Sequence, residues 1–348
     1  MSEVKNGDIV WFNSGISSLA AAALARREAR LRGDGLRFVA ETTQDIPLDG
    51  FRRDPRLLGR AYAERALNIC ERRGISLLVP QRNRIAVAAA AEAFAGAGIA
   101  LSLPGTAEAM RLAERKDLCS EALARAGVRV PTTLVVRSAD ELDEAVRKIR
   151  SEGAIPCLKP VSGIGGRGFR LLLLKGEPRP AEWLPPGAFG DHAVFLRKWS
   201  ADPKRKPLLA CSFLPGKERS VDCLAHRGKL VVSVTRRKDA EGQISECDGS
   251  AAAIAAVACE TLGMTGLFNV QTKDDAEGRP ALVEVNARMS GGLAFSCAAG
   301  CCLPYWAARL ALGTASPEDV PKPRGGTILP STDDELLKLL RLHSRKNA

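Results

Sequence analysis

The first third of the chain alternates short apolar runs with longer stretches rich in Ala, Arg and Leu. The runs are Asp8–Phe12, Leu36–Ala40, Ile75–Val79 and Ile99–Leu103. Apolar strands separated by helical segments give a βαβ rhythm, which predicts a parallel, Rossmann-like sheet. Ligands of such sheets lie beyond the strand C-termini, which directs attention to the loops Asn13–Ser18 and Pro80–Arg84. The longest apolar stretch, Ile85–Leu103, is mostly Ala and contains Glu92, Gly96 and Gly98. It is predicted as a helix followed by a strand rather than a membrane span.

The pattern changes at about residue 113. A helix containing Ala113–Ala126 is predicted to end at Gly127, with Pro131 preventing its continuation, before a strand at Thr133–Val136. A strand at Cys157–Pro160 then enters the glycine-rich loop Ser162–Gly168 and leaves it as a second strand, Phe169–Leu174. From Glu177 to Pro207 the chain is rich in Pro, Gly and charge, with a basic cluster at Lys204, Arg205 and Lys206, and reads as a mobile connection. Strands follow at Leu208–Leu214, Lys229–Val234, Leu267–Lys273 and Ala281–Val285, with a helix near Ser250–Leu262. The basic stretch after about Lys322 is expected to be peripheral.

Composition narrows the function without fixing it. A formal charge of +11 over 348 residues favours anionic partners. Aromatics make up 5% and do not interleave with basic residues, so no stacking surface for single-stranded nucleic acid is expected. The ten cysteines form no CxxC pair, and the first residues lack a signal peptide's apolar core, so reduced thiols in the cytoplasm are expected. Cys297, Cys301 and Cys302 read as packing residues. The three histidines, His192, His226 and His343, are too scattered for a zinc site.

Gly163, Gly165 and Gly168 satisfy GxGxxG, the spacing of a dinucleotide fingerprint. That motif must follow the first strand of a βαβ unit and open a helix. Here it lies mid-chain between two strands, so a nicotinamide enzyme is the lesser reading. Two strands joined by flexible glycines, Gly166 among them, can instead fold over a triphosphate. Backbone N–H groups would then be donors and Lys159 a point charge, although a plain hairpin has the same pattern. Further along, Glu284 and Asn286 point to one face of their strand because side chains alternate. A carboxylate with amide oxygens makes a hard-oxygen site suited to magnesium, and Arg288 can hold a phosphoryl group beside it. An isolated ExNxR is also compatible with a solvated strand face.

The ordered series Lys116, Lys159 with Gly163–Gly168, Phe213-Leu-Pro-Gly-Lys-Glu218, Gln271 and Glu284-Val-Asn-Ala-Arg288 resembles the ATP-grasp superfamily, especially its carbamoyl-phosphate-synthetase-like branch. The resemblance covers about residues 110–315. Trp11-Phe-Asn13, Pro80-Gln-Arg-Asn-Arg84, Ser220-Val-Asp-Cys223 and Arg288-Met-Ser-Gly-Gly292 further resemble ATP-grasp proteins of biosynthetic clusters associated with tellurite-resistance operons. The implied fold is α/β. It has a Rossmann-like pre-ATP-grasp domain (1–112), a glycine-loop lid subdomain (113–207), a C-terminal α+β subdomain with the metal site (208–325) and a peripheral tail (326–348).

The resemblance also implies roles. Lys116 and Lys159 would bind ATP phosphates beneath the glycine loop, and Gln271, Glu284 and Asn286 would hold Mg2+, or Mn2+. Arg288 would contact phosphate or an acyl phosphate. Cys211–Leu214, with Phe213 and Leu214, would meet adenine through backbone groups, and Glu218 would bind the ribose. Ser212 departs from the Glu many relatives carry, which puts a carboxylate contact to adenine in doubt. Asn13, Arg82, Arg84, Arg236 and Arg237 are candidate substrate contacts. The implied activity is ATP- and magnesium-dependent ligation of a small-molecule carboxylate to an amine, or to a thiol or hydroxyl. A nucleotide-binding regulatory or scaffold protein is the alternative. The implied assembly is a homodimer, without nucleic-acid or membrane partners.

Overall fold

The computed structural model describes residues 7–13, 17–42, 50–52, 56–163, 166–174, 177, 179–180, 184, 187–189, 192–239, 242–247 and 249–329. The chain begins β1 (Ile9–Phe12), α1 (Ser18–Arg32), β2 (Arg37–Thr42), β3 (Gly50–Arg52), α2 (Gly59–Arg73), β4 (Ile75–Val79), α3 (Arg84–Ala89), α4 (Ala91–Gly96) and β5 (Ala100–Leu101). It continues with α5 (Ala107–Glu114), α6 (Lys116–Arg125), β6 (Thr133–Val136), α7 (Ala139–Ser151), β7 (Pro156–Pro160), β8 (Arg170–Leu171), α8 (His192–Ala201) and β9 (Leu208–Ser212). The last described part is β10 (Glu218–His226), β11 (Lys229–Asp239), β12 (Gly242–Glu246), α9 (Ser250–Leu262), β13 (Gly266–Asp274), β14 (Pro280–Asn286), α10 (Leu293–Ser296), α11 (Leu303–Ala311) and β15 (Ile328–Leu329). This is the α/β architecture expected.

The chain forms two compact units, and neither is contiguous in sequence. One comprises residues 1–111, 219–271 and 286–348; the second comprises 112–218 and 272–285. The chain passes between them within β13 and β14, so the spatial division differs from a set of consecutive segments.

The first unit contains the parallel sheet β3-β2-β1-β4-β5. Its strand order reverses between β1 and β4, the position at which doubly wound sheets open a crevice. Val10, Phe12, Leu77 and Val79 face a core completed by α1 and α11, while Trp11 and Leu78 face α2 and Phe94. That alternation follows from the period of two in a strand. A second sheet has the order β14-β13-β10-β11-β12-β15. Within it, β10–β11, β11–β12 and β12–β15 are antiparallel. Ile328–Leu329 thus extends a sheet edge, with Leu329 buried.

The second unit is built on the antiparallel sheet β6-β9-β7-β8. One face carries Leu158, Leu208, Ala210 and Val136 against Leu142, Ala145 and Ile149 of α7. Trp199 of α8 joins that core, and its indole N–H donates to Lys206 O at 2.9 Å. The span read as a connection therefore contains a docked helix, because Phe195, Leu196 and Trp199 form an apolar stripe too short to dominate its polar surroundings. The helix read as continuous through Ala113–Ala126 breaks at Arg115, which is extended. There the Lys116 N–H leaves the helical ladder and donates to Val161 O. The strand read as Phe169–Leu174 is regular only at Arg170–Leu171. Among the described residues no helix is long and apolar enough to cross a membrane.

Gly216 is fixed by close approach. Its N–H donates to Asp274 O at 3.0 Å, and an added Cβ would fall 2.6 Å from the Asp274 Cβ. Gly216→Ala is expected to lower the stability of the second unit by about 1–3 kcal/mol through overpacking, read as a lower urea midpoint.

Candidate functional site

The second face of the β6–β9 sheet carries Cys157, Leu171, Leu209, Cys211 and Phe213, with Phe169 packed against them. Lys159 shares this face with Cys157 by strand alternation. Burial opposes the Lys159 ammonium, but Cys211, Cys157 and Glu284 outweigh it, and its pKa lies above the ordinary lysine value. Burial also pushes the Cys157 thiol upward. Glu284 Oε2 lies 3.0 Å from Lys116 Nζ, with both side chains 14% exposed. Lys116 is thus held at the sheet rather than waving from a solvated helix. Lys116, Lys159 and Glu284 form one charged cluster in the second unit.

The glycine loop leaves this face as the turn of an antiparallel hairpin, with Cys157 opposite Leu171 and Leu158 opposite Arg170. Among the described residues no helix starts there, and the flanking strands pair antiparallel, which speaks against the dinucleotide fingerprint. Gly163, Gly166 and Gly168 have φ of 143°, 66° and 79°, a region that favours glycine. At Gly168 an added Cβ would also fall 2.9 Å from Pro160 Cγ. Gly165 lies outside the described residues.

At the hinge, Ser212 N–H donates to Thr132 O and Phe213 N–H to Ile155 O. The Phe213 ring lies 6.3 Å from that of Phe169, and Lys273 Nζ is 4.5 Å from its centroid. Leu214 N–H has no hydrogen-bond partner among the described residues. Glu218 is exposed at the start of β10.

In the first unit, Asn286 ends β14, and its Oδ1 accepts from Arg288 Nη2 at 3.0 Å. Arg288 Nη1 donates to Met289 O at 2.9 Å, so the guanidinium folds back over its own segment. Gln271 lies half-buried on β13. Among the described residues no group of three or more His, Cys, Asp and Glu side chains gathers as a metal site. Of the expected donors, Glu284 belongs to the second unit and Gln271 and Asn286 to the first; carboxylate and amide oxygens are the hard donors that magnesium takes.

The substrate candidates fall into different environments. Asn13 is fully buried. Its Nδ2 donates to Tyr62 Oη and Arg82 O, and its Oδ1 accepts from Gln81 N–H and Arg82 N–H. It fastens the β1 loop to the β4 loop at the reversal point. Arg82 is exposed there, and Arg84 Nη1 donates to Gln81 O. Arg236 is 4% exposed and bonded to Asp222, Gln243, Ser220 and Ser290. Arg237 alternates to the opposite face and pairs with Glu246 at 2.6 Å, beside Arg219 at 3.1 Å.

Two contributors are not among the candidate site residues named from the sequence. Gln81 Oε1 accepts Met289 N–H at 2.9 Å, and Ser17 Oγ donates to the carbonyls of Ser290 and Gly291. Both sit in loops that strand topology singled out, but their partners lie more than 200 residues away.

Residues 204–333 match a family described as ATP-grasp in the biosynthetic pathway with Ter operon. No curated protein matches the chain by sequence. Among solved structures, a biotin carboxylase complex from Campylobacter jejuni is 18% identical, with 90% of this chain and 73% of that one covered and a TM-score of 0.63. N5-carboxyaminoimidazole synthetase from Staphylococcus aureus is 14% identical over 92% and 81% of the two chains, with a TM-score of 0.63. L-amino acid ligase from Bacillus licheniformis is 15% identical over 91% and 76%, with a TM-score of 0.55.

Proposed function

We propose, from its ATP-grasp fold and the match of residues 204–333 to the ATP-grasp group described with the Ter operon, that the chain activates a small-molecule carboxylate with ATP and joins it to a nucleophile, foremost an amine. The observation that carries this reading is the Lys116–Glu284–Lys159 cluster beside a glycine hairpin and an apolar sheet face. The apolar face suits a base, the Leu214 amide its edge, and the two lysines its phosphates.

In this reading the substrate carboxylate attacks the γ-phosphorus of ATP, the bond to the β-phosphate oxygen breaks, and ADP leaves an acyl phosphate. The nucleophile then attacks the acyl carbon, loses a proton and expels inorganic phosphate. Lys116 and Lys159 hold the phosphates and neutralise charge as the phosphoryl group moves. Arg288 stabilises the oxygen charge that develops. The glycine hairpin covers the site, limiting loss of the acyl phosphate to water. Glu284, Gln271 and Asn286 would hold magnesium, with manganese fitting the same donors, and the ion would offset phosphate charge. The expected assembly is a homodimer.

The test is ADP release from purified protein with ATP and magnesium across pools of carboxylates and amines, with products read by mass spectrometry. ADP formation that requires a carboxylate and yields a condensed product is expected. ATP binding without turnover in every pool would instead favour a regulatory nucleotide-binding protein.

A further inference from the structure

Three separate parts of the first unit converge on the short segment 289–292. From the β4 loop, Gln81 holds the Met289 amide at 2.9 Å. From the start of α1, Ser17 Oγ reaches Ser290 O at 3.0 Å and Gly291 O at 2.7 Å. From the second sheet, Arg236 Nη2 donates to Ser290 Oγ at 3.0 Å, and the same hydroxyl accepts Gly292 N–H at 3.1 Å. Gly292 lies directly against the guanidinium: an added Cβ would fall 2.5 Å from Arg236 Cζ. Only a residue without a side chain allows this approach.

Arg236 is itself immobilised. Its Nε meets Asp222 Oδ2 at 2.9 Å, Nη1 meets Gln243 Oε1 at 2.9 Å, and Nη2 also meets Ser220 Oγ at 2.9 Å. Asp222 is fully buried and accepts from Ser296 Oγ and Asn269 Nδ2. A buried ion pair with its remaining groups hydrogen-bonded has one arrangement, which makes it a rigid base. The segment it supports follows Asn286 and Arg288; Arg288 donates to Asn286 Oδ1 and to Met289 O.

We infer that Arg236 is a positioning residue, acting through Ser290 and Gly292 to fix Asn286 and Arg288 in the geometry that magnesium and the acyl phosphate require. This rests on the ligase reading above. A guanidinium buried to this degree, with all three nitrogens bonded within its own unit, is not a substrate contact. The Ser-Gly-Gly sequence after Met289 and the Ser220-Val-Asp222 sequence on β10 are two sides of one support.

The experiment compares wild type, Gly292→Ala and Ser290→Ala by calorimetric titration with ADP, with magnesium and with a chelator in its place. Urea unfolding of each protein runs alongside. Metal-free ADP binding depends on the lysines of the second unit and is expected to stay unchanged. The enhancement of ADP binding by magnesium is expected to fall about 10- to 100-fold in Gly292→Ala, the range typical for losing a group that orients a metal ligand. Ser290→Ala should show a smaller fall in the same direction; it deletes one hydroxyl and carries the test if Gly292→Ala does not fold. Folded variants that keep the wild-type magnesium enhancement would overturn the inference. Wild type that binds no ADP under either condition would overturn the ligase reading itself, a distinguishable failure.

Discussion

Replacing Glu284 with glutamine is expected to abolish magnesium-dependent ADP release and, in the same protein, to tighten ADP binding in the absence of metal. The second effect follows from the ion pair between Lys116 Nζ and Glu284 Oε2 at 3.0 Å, with Lys159 also under the influence of the carboxylate. In the wild type a phosphate group must draw Lys116 away from an anion, leaving Glu284 half-buried without its cation. Glu284 holding magnesium instead of Lys116 would remove that conflict and leave the lysine for phosphate. Nucleotide and metal are therefore expected to bind with positive coupling, each favouring the other by the same factor. Neutralising Glu284 removes a charge-assisted contact of about 1.5–3 kcal/mol, so metal-free ADP affinity should rise by about tenfold or more while the metal effect disappears. Calorimetry with and without chelator reads both. Metal-free affinity that stays constant or weakens would show that Lys116 does not meet phosphate.

Replacing Arg236 with methionine is expected to be the most destabilising single change considered. The substitution roughly preserves side-chain length but leaves Asp222, fully buried, with Ser296 and Asn269 as neutral donors. Removing one partner of a buried pair costs about 3–5 kcal/mol, because the remaining charge is neither solvated nor compensated. A large drop in the urea midpoint is expected, and the double variant Arg236→Met with Asp222→Leu should recover part of it. Equal midpoints for Arg236→Met and wild type would show that the pair contributes nothing to stability.

Much of this arrangement was legible in the sequence. The strands Ile75–Val79 and Thr133–Val136 appear with the bounds that their apolar runs suggest, because a buried parallel strand or a sheet edge needs little beyond its own side chains. The glycine hairpin was legible for the same reason: strand, glycines and strand are local. What escaped depends on distant groups. Nothing near Arg115 announces that the next amide will leave its helix for Val161 O. Nor does the Arg236-Arg237 dipeptide say which arginine points inward. Strand alternation requires opposite faces, but only the register of β11 against β10 and β12 decides that Arg236 meets Asp222 while Arg237 meets Glu246. Asn13 was singled out by its place beyond a strand end. Its role in tying two loops together comes from backbone groups of Gln81 and Arg82, which are invisible in a pattern of side chains.

The division of the chain also sets an order of assembly. The second unit requires residues 272–285, which leave the ribosome only after residues 219–271, and these belong to the first unit. Leu282 N–H bonds to Arg129 O, and Gly216 N–H bonds to Asp274 O, so these late residues are built into the unit's hydrogen bonding. During synthesis the segment 112–218 is made before the residues 272–285 that complete its unit. Such long-range closure slows folding and prolongs exposure of apolar surface. The lysines that would grip a nucleotide are made early, but the carboxylate that balances their charge is supplied near the end, so the charged cluster is completed only as folding finishes.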